Sequence, residues 1–154
     1  MNLKHILDLD QVRYIEWLIT ALMVGIVWYT QVIQYPLFHI VPPDRFVDFH
    51  SEYTQKAGWL IGPLMVLELG FGILKMKLLP PKLRRKWTNW IPLFLLSVIW
   101  LSTFLVQVPL HGVLVEKKTD EVIHLLIWSN WVRTILWSLK LVWLGKPNLI
   151  GQKD

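Results

Sequence analysis

Four long apolar segments alternate with shorter polar connections along the chain. They cover about 14–33, 57–79, 90–110 and 122–144, and each reaches the roughly 18–20 apolar residues that cross a hydrocarbon core about 30 Å thick. The third segment lacks the polar stripe of a soluble helix, since Ser97 is the only polar side chain between Ile91 and Leu101. The pattern predicts an all-α integral membrane four-helix bundle that forms one domain, 1–154, without an internal repeat.

The connection between the first two segments predicts a helix of its own. Two prolines precede Asp44, which is a suitable N-cap, and four residues then follow i, i+3, i+4, i+7 spacing: Phe46, Phe49, His50 and Tyr53. A short amphipathic helix would place this aromatic face on the membrane surface or over the outer end of the bundle.

Composition and charge support a membrane location. The chain is 54% hydrophobic, contains ten tryptophans and has a mean hydropathy of +0.42. Most of its sixteen basic residues lie in the N-terminal tail, the second connection and the C-terminal end, so the positive-inside rule places both termini in the cytoplasm. We expect a multi-pass protein of a bacterial inner (plasma) membrane. Its expected partners are the lipid bilayer and a hydrophobic small molecule. No nucleic-acid motif accompanies the net charge of +5, so we expect no nucleic-acid partner. The sequence is compatible with a homo-oligomer.

Two full charges stand near the middle of apolar segments. Glu68 lies in the second segment and Arg133 in the fourth, where an uncompensated charge is costly. Because hydropathy places them at similar depth, we expect them to pair. One interpretation is a structural ion pair. The other is a pocket in which Glu68 acts as a base or ligand while Arg133 holds an anionic or enolate-like oxygen.

The polar residues inside the segments are concentrated in their outer halves, which predicts an outward-facing cleft. The candidate catalytic residues are Glu68, His111, Arg133 and Asn130. The candidate substrate-binding residues are Gln31, Gln34, Tyr35, Thr103, Gln107, His50 and Tyr53.

Histidines and one carboxylate raise the question of a metal. His50, His111 and Glu68 form a plausible set of two histidines and one carboxylate, although Glu68 is expected to lie roughly 16 Å deep at about 1.5 Å per residue. General acid–base chemistry by the two histidines is the alternative. The absence of cysteine excludes disulfides, thiolate metal sites and cysteine nucleophiles. This pattern requires no cofactor, but it allows a transition metal.

Several sequence motifs, most of them in the outer halves of the segments, together carry a family resemblance. They are Gln34-Tyr35-Pro36, Phe49-His50, Pro63 with Glu68, Gln107-Val108-Pro109-Leu110-His111, and Asn130-Trp131-Val132-Arg133-Thr134 with Trp137. Over nearly its whole length the chain resembles the anthrone-oxygenase-like family of small four-helix integral membrane proteins, which are mostly uncharacterised bacterial members.

The resemblance implies a reaction class. The few fungal members with a known activity oxidise an anthrone to an anthraquinone with molecular oxygen. Here Glu68 or His111 would remove the acidic C–H proton, and Arg133 with Asn130 would hold the enolate. We therefore expect an oxidoreductase or oxygenase acting on a hydrophobic aromatic or lipid-like substrate. The alternative is a non-catalytic membrane component that binds a lipid, a quinone or a partner helix.

Overall fold

The fold is all-helical over residues 7–146, the part of the chain that the computed structural model describes, and no strand occurs within it. Two short turns of helix, Pro81–Arg84 and Trp87–Asn89, lie between the second and third long helices. The four long helices are α1 (Leu9–Ile40), α2 (Pro43–Leu78), α3 (Ile91–Leu114) and α4 (Asp120–Leu144).

Local sequence sets where helix α1 begins and ends. The Asp8 carboxylate accepts a hydrogen bond from the backbone N–H of Gln11 at 2.8 Å, and the Gln11 side chain accepts one from the backbone N–H of Asp8 at 2.9 Å. This reciprocal capping box satisfies two N–H groups that the first turn leaves free. At the other end the helix tightens into a 3₁₀ turn, Phe38–Ile40, and Pro42 and Pro43 then redirect the chain.

Helix α2 corrects two of the expectations. The predicted surface helix is not a separate element, because α2 runs without a break through 36 residues, about 54 Å at roughly 1.5 Å per residue. No helix-breaking residue separates its amphipathic start from its apolar part. Asp44 is not the cap either: Pro42 occupies that position, Pro43 begins the helix, and Asp44 lies in the first turn, where its charge favours the helix dipole.

Three of the long helices, α1, α2 and α3, are long and apolar enough to cross a membrane. This confirms the membrane-protein character that hydropathy predicts. Helix α4 has sufficient length, 25 residues, but Asn130, Arg133 and Lys140 interrupt its apolar sequence. All three of these polar side chains are buried, so the outward faces of α4 are still apolar.

The long helices pack side by side. Helix α1 contacts α2 and α4, while α3 packs closely on α4 and more loosely on α2. One core cluster lies at the end of the molecule that carries the α1–α2 and α3–α4 connections, which we call the outer end, and includes Tyr35, Phe38 and Phe46. A second, nearer the middle, includes Met23, Met65 and Trp137. The loose packing between α2 and α3 leaves space for a cavity there.

Two helices widen at matching places. The pattern Thr-x-x-x-Gln-x-Pro-Leu occurs at 30–37 in α1 and again at 103–110 in α3, and in each case the segment from Thr to Gln is π-helical: Thr30–Gln34 and Thr103–Gln107. The following proline lacks an N–H group for the normal helical bond, and a wider turn accommodates this. The same short recurring pattern thus accompanies the same local widening in both helices.

Close packing of α2 at Gly72 is the basis of a first prediction. A Cβ atom on Gly72 would lie 2.9 Å from Cδ2 of Leu93 and 3.4 Å from Oε1 of Glu16, whereas a Cβ atom on Gly70 would meet nothing within 4 Å. Gly72→Leu should therefore destabilise the fold by about 1–3 kcal/mol through overpacking. Thermal unfolding in detergent micelles measures this, with Gly70→Leu as the matched control. Equal melting temperatures for the two variants would contradict the packing described here.

Candidate functional site

A buried ion pair joins α2 to α4. Lys140 Nζ lies 2.7 Å from Glu68 Oε1, and both side chains are fully buried. The Thr20 hydroxyl donates to the same carboxylate oxygen at 2.7 Å, while the Trp137 indole N–H donates to the other at 3.0 Å. Both oxygens of this carboxylate are thus hydrogen-bonded to protein groups, which offsets part of the cost of burying its charge.

A second ion pair extends the first toward the start of α1 and the end of α4. Lys75 Nζ lies 2.6 Å from Glu16 Oε2, and Lys140 Nζ lies 3.5 Å from the other oxygen of Glu16. We call Glu16, Glu68, Lys75 and Lys140 the charge cluster. It contains two carboxylates and two ammonium groups, so it is electrically balanced, and it ties together α1, α2 and α4.

The expected pairing of Glu68 with Arg133 is wrong. Glu68 pairs with Lys140, which lies seven residues after Arg133 on the same face of α4. Trp137 stands between the two cations: its N–H group binds Glu68, and its ring lies 5.5 Å from the Arg133 guanidinium carbon. Helical spacing showed that Arg133 and Glu68 both face inward, but it could not show which cation on that face lies level with the carboxylate.

A cavity of about 350 Å³ opens between α2 and α3, toward their outer ends. We call it the outer cleft. Much of its wall is apolar, including Met65, Phe104 and Val108, and Gly58 and Gly62 widen it on the α2 side. Its polar lining brings together six residues that the sequence proposed for a site: Tyr35, Tyr53, Thr103, Gln107, His111 and Arg133.

A chain of hydrogen bonds leads from the outer cleft into the protein. The Tyr35 hydroxyl lies 3.1 Å from His111 Nε2, and His111 Nδ1 lies 3.0 Å from His50 Nε2. The two imidazole rings are stacked, with centroids 5.1 Å apart. Each neutral imidazole has one donor and one acceptor nitrogen, so His111 can pass a proton from the Tyr35 hydroxyl to His50. The chain ends there, because His50 Nδ1 has no hydrogen-bond partner in the described part of the protein. We call Tyr35, His111 and His50 the proton relay.

Arg133 has a different environment from the other buried cations. Its side chain is almost completely buried, it lines the outer cleft, and Nε has no hydrogen-bond partner. Among residues 7–146, two buried carboxylates, Glu16 and Glu68, accompany three buried cations, Lys75, Lys140 and Arg133. Because the charge cluster balances itself, Arg133 is left as an excess positive charge beside a cavity. Such a charge favours an anionic oxygen as a ligand.

Two predicted site residues lie behind the outer cleft. Asn130 Nδ2 donates to Gln31 Oε1 at 2.9 Å, and Gln31 Nε2 donates to the backbone carbonyl of Ile127 at 3.1 Å. These bonds join α1 to α4. Gln107, in contrast, lines the cleft and donates to Ser129 at 2.8 Å, which leaves its Oε1 atom without a partner.

Gln34 lies beside a different cavity, between α1 and α2, where its Oε1 accepts a hydrogen bond from the Tyr29 hydroxyl at 3.3 Å. Glu68, the deepest of the predicted catalytic residues, does not line the outer cleft, because its carboxylate belongs to the charge cluster.

The proposed metal set is not assembled. His50 and His111 contact each other, but Glu68 is held by Lys140 instead. Between residues 7 and 146 no three histidine, aspartate or glutamate side chains gather in a way that would hold a metal ion. The two histidines are instead bonded into the proton relay.

Sequence reasoning missed most of the charge cluster. Glu16, Lys75 and Lys140 lie close to the ends of the apolar segments, where charged residues are common, yet Lys140 is fully buried and Lys75 nearly so. A usable signal was present: Lys75 follows Glu68 by seven residues, and Lys140 follows Arg133 by seven, so each pair shares one helix face.

Comparisons with known proteins add no relative: no family model, no curated protein and no solved structure matches the chain. The resemblance to the anthrone-oxygenase-like family therefore stays a prediction from the sequence motifs.

The charge cluster makes a prediction about stability. Lys140→Met should cost about 3–5 kcal/mol, because Glu68 keeps its charge but loses its counterion. Adding Glu68→Gln should restore at least half of this loss, because the amide is neutral and nearly isosteric. Unfolding by a denaturing detergent, followed by circular dichroism, measures both variants. A double variant that is less stable than Lys140→Met alone would show that the two groups do not compensate each other.

Proposed function

We propose that the protein is an integral membrane four-helix bundle, with α4 as the fourth span and both termini in the cytoplasm of a bacterium. The packing of α4 on α1 and α3 supports this, as does the burial of its polar side chains within the charge cluster and the outer cleft. The basic residues between α2 and α3, which include Lys82, Arg84 and Arg85, support the orientation. The outer cleft then faces the periplasmic side.

Cysteine labelling tests this topology, because the natural chain has no cysteine. Ser51→Cys lies before the apolar part of α2, and Lys86→Cys lies between α2 and α3; both positions are exposed. In intact spheroplasts a membrane-impermeant maleimide should label Ser51→Cys, and it should label Lys86→Cys only after permeabilisation. Labelling of Lys86→Cys in intact spheroplasts would reverse the orientation.

We further propose that the outer cleft is the active site of an oxidoreductase. The substrate would be a hydrophobic aromatic or lipid-like molecule with an acidic C–H or O–H group. The observation that carries the proposal is the position of Arg133, an excess buried cation that lines the same cavity as Tyr35 and His111. A cation beside a proton acceptor in an apolar cavity is what the formation of an enolate or phenolate needs.

The residues divide the proposed reaction between them. His111 takes the substrate proton on Nε2, directly or through the Tyr35 hydroxyl, and His50 accepts the proton at the other side of the His111 ring. Arg133 stabilises the oxyanion that remains. Dioxygen, the oxidant that the family resemblance implies, then converts the deprotonated CH₂ group of the substrate into a carbonyl. The balance is R₂CH₂ + O₂ giving R₂C=O + H₂O.

The proposal assigns supporting roles to the neighbours. Asn130 and Gln31 hold α1 against α4 and so position Tyr35 relative to Arg133. Gln107 offers the unpartnered Oε1 atom as an acceptor for a substrate hydroxyl. Glu68 acts only through the charge cluster, because its carboxylate does not line the cleft.

Oxygen uptake with anthrone as the probe substrate tests this function. In lipid nanodiscs, His111→Gln and Arg133→Gln should each lower the rate about 100-fold or more, the usual scale for loss of an acid–base group. Arg84→Gln, at an exposed arginine outside the outer cleft, is the matched control and should keep the natural rate. Thermal unfolding must show that each variant is folded. A folded Arg133→Gln variant with an unchanged rate would refute the proposed role of the guanidinium.

A further inference from the structure

A second cavity lies on the other side of α2, between α2 and α1, and has a volume of about 410 Å³. We call it the lateral groove. The first copy of the recurring pattern lines it through Thr30 and Gln34, as the second copy lines the outer cleft through Thr103 and Gln107. Tyr53, Ala57 and Ile61 form part of the wall of both cavities. The outer half of α2 is therefore flanked by cavities on two sides.

Polarity changes along the lateral groove. Its inner end is lined by Ile26, Leu60 and Ile61, whereas its outer end carries Glu52 and Lys56. These two side chains form an ion pair of 2.7 Å and are 66% and 74% exposed, so both are accessible to a ligand. The apolar part of α2 begins at the next residue, Ala57. The ion pair thus stands at the level of the lipid head groups, and the apolar end lies within the hydrocarbon.

We propose that the lateral groove binds one zwitterionic phospholipid of the outer leaflet, with a primary ammonium in its head group. The lipid phosphate binds Lys56, the ammonium binds Glu52, and an acyl chain follows Ile26, Leu60 and Ile61 inward. The proposal relies on the membrane orientation given above, which the cysteine labelling tests separately from lipid binding. It is independent of the enzymatic activity.

The charges select this head group over others. Glu52 repels a lipid with net negative charge, which disfavours an anionic head group. A primary ammonium offers three N–H donors to the carboxylate, whereas a quaternary ammonium offers none. The outer cleft differs in this respect, because its unpaired Arg133 favours an anion. The two cavities are therefore suited to different ligands although they share one wall of α2.

Native mass spectrometry of the full chain, purified in detergent, tests this site. The probes are synthetic phosphatidylethanolamine, phosphatidylglycerol and phosphatidylcholine with the same acyl chains. The natural protein should retain a single phosphatidylethanolamine at least fivefold more than either other lipid. Glu52→Lys should shift the preference to phosphatidylglycerol, because two adjacent cations then face the head group. This exposed substitution leaves the helix packing unchanged.

A second pair of variants tests the apolar end. Ile26→Trp, which fills the lateral groove, should lower retention of phosphatidylethanolamine at least fivefold, whereas Leu18→Trp, at an exposed position on the same helix outside the groove, should not. Equal retention of the three lipids by the natural protein would overturn the proposal, as would an unchanged preference in Glu52→Lys. A copurified quinone that Ile26→Trp removes, in place of the lipid, would overturn it as well.

Discussion

The ion pair between Lys140 and Glu68 is the constraint on which the rest of the structure depends. Burial of either of these two charges without the other would be costly, so α2 and α4 meet at the register that joins them. Thr20 and Trp137 complete the coordination of the carboxylate, and this brings in α1 and orients the indole ring. Two turns further out on the same face of α4, Arg133 is then held beneath the outer cleft. The balanced charge cluster thus positions Arg133, the excess positive charge of the proposed active site.

Much of the architecture follows from the sequence, because each long helix corresponds to a long apolar segment. Such a segment is easy to recognise and has a clear physical cause. The four long helices cover the predicted apolar segments to within one residue. They extend beyond them by five and seven residues at the two ends of α1, fourteen at the start of α2, four at the end of α3 and two at the start of α4. The extensions have local reasons, such as the Asp8 capping box and the proline at the start of α2. The separate surface helix was an error of a different kind. Amphipathic spacing identified the correct face of Phe46 and His50 but contains no information on whether a helix ends before the apolar part begins.

The site was predictable in its outer half and not in its inner half. Tyr35, His111 and Arg133 each belong to a polar face that turns away from lipid, and three such faces can meet only in the interior. The partner of Glu68 depends on the relative depth of two helices, which varies by several residues without any change in hydropathy. The π-helical turns add a further difficulty, because each shifts the face of every later residue relative to a regular helical wheel. Asn130, predicted as a catalytic residue, instead bonds to Gln31 behind the cavity.

The distribution of the buried charges also determines how the two halves of the chain relate. The hairpin of α1 and α2 buries Glu16, Glu68 and Lys75, an excess of one negative charge, while the hairpin of α3 and α4 buries only the cations Lys140 and Arg133. Two copies of the first hairpin would bring together carboxylates without counterions, and two copies of the second would bring together cations alone. Only a pair of unlike hairpins gives each buried carboxylate its own buried ammonium partner. The short basic connection between α2 and α3 joins one hairpin of each kind in a single chain. It therefore fixes the stoichiometry of the two hairpins at one to one.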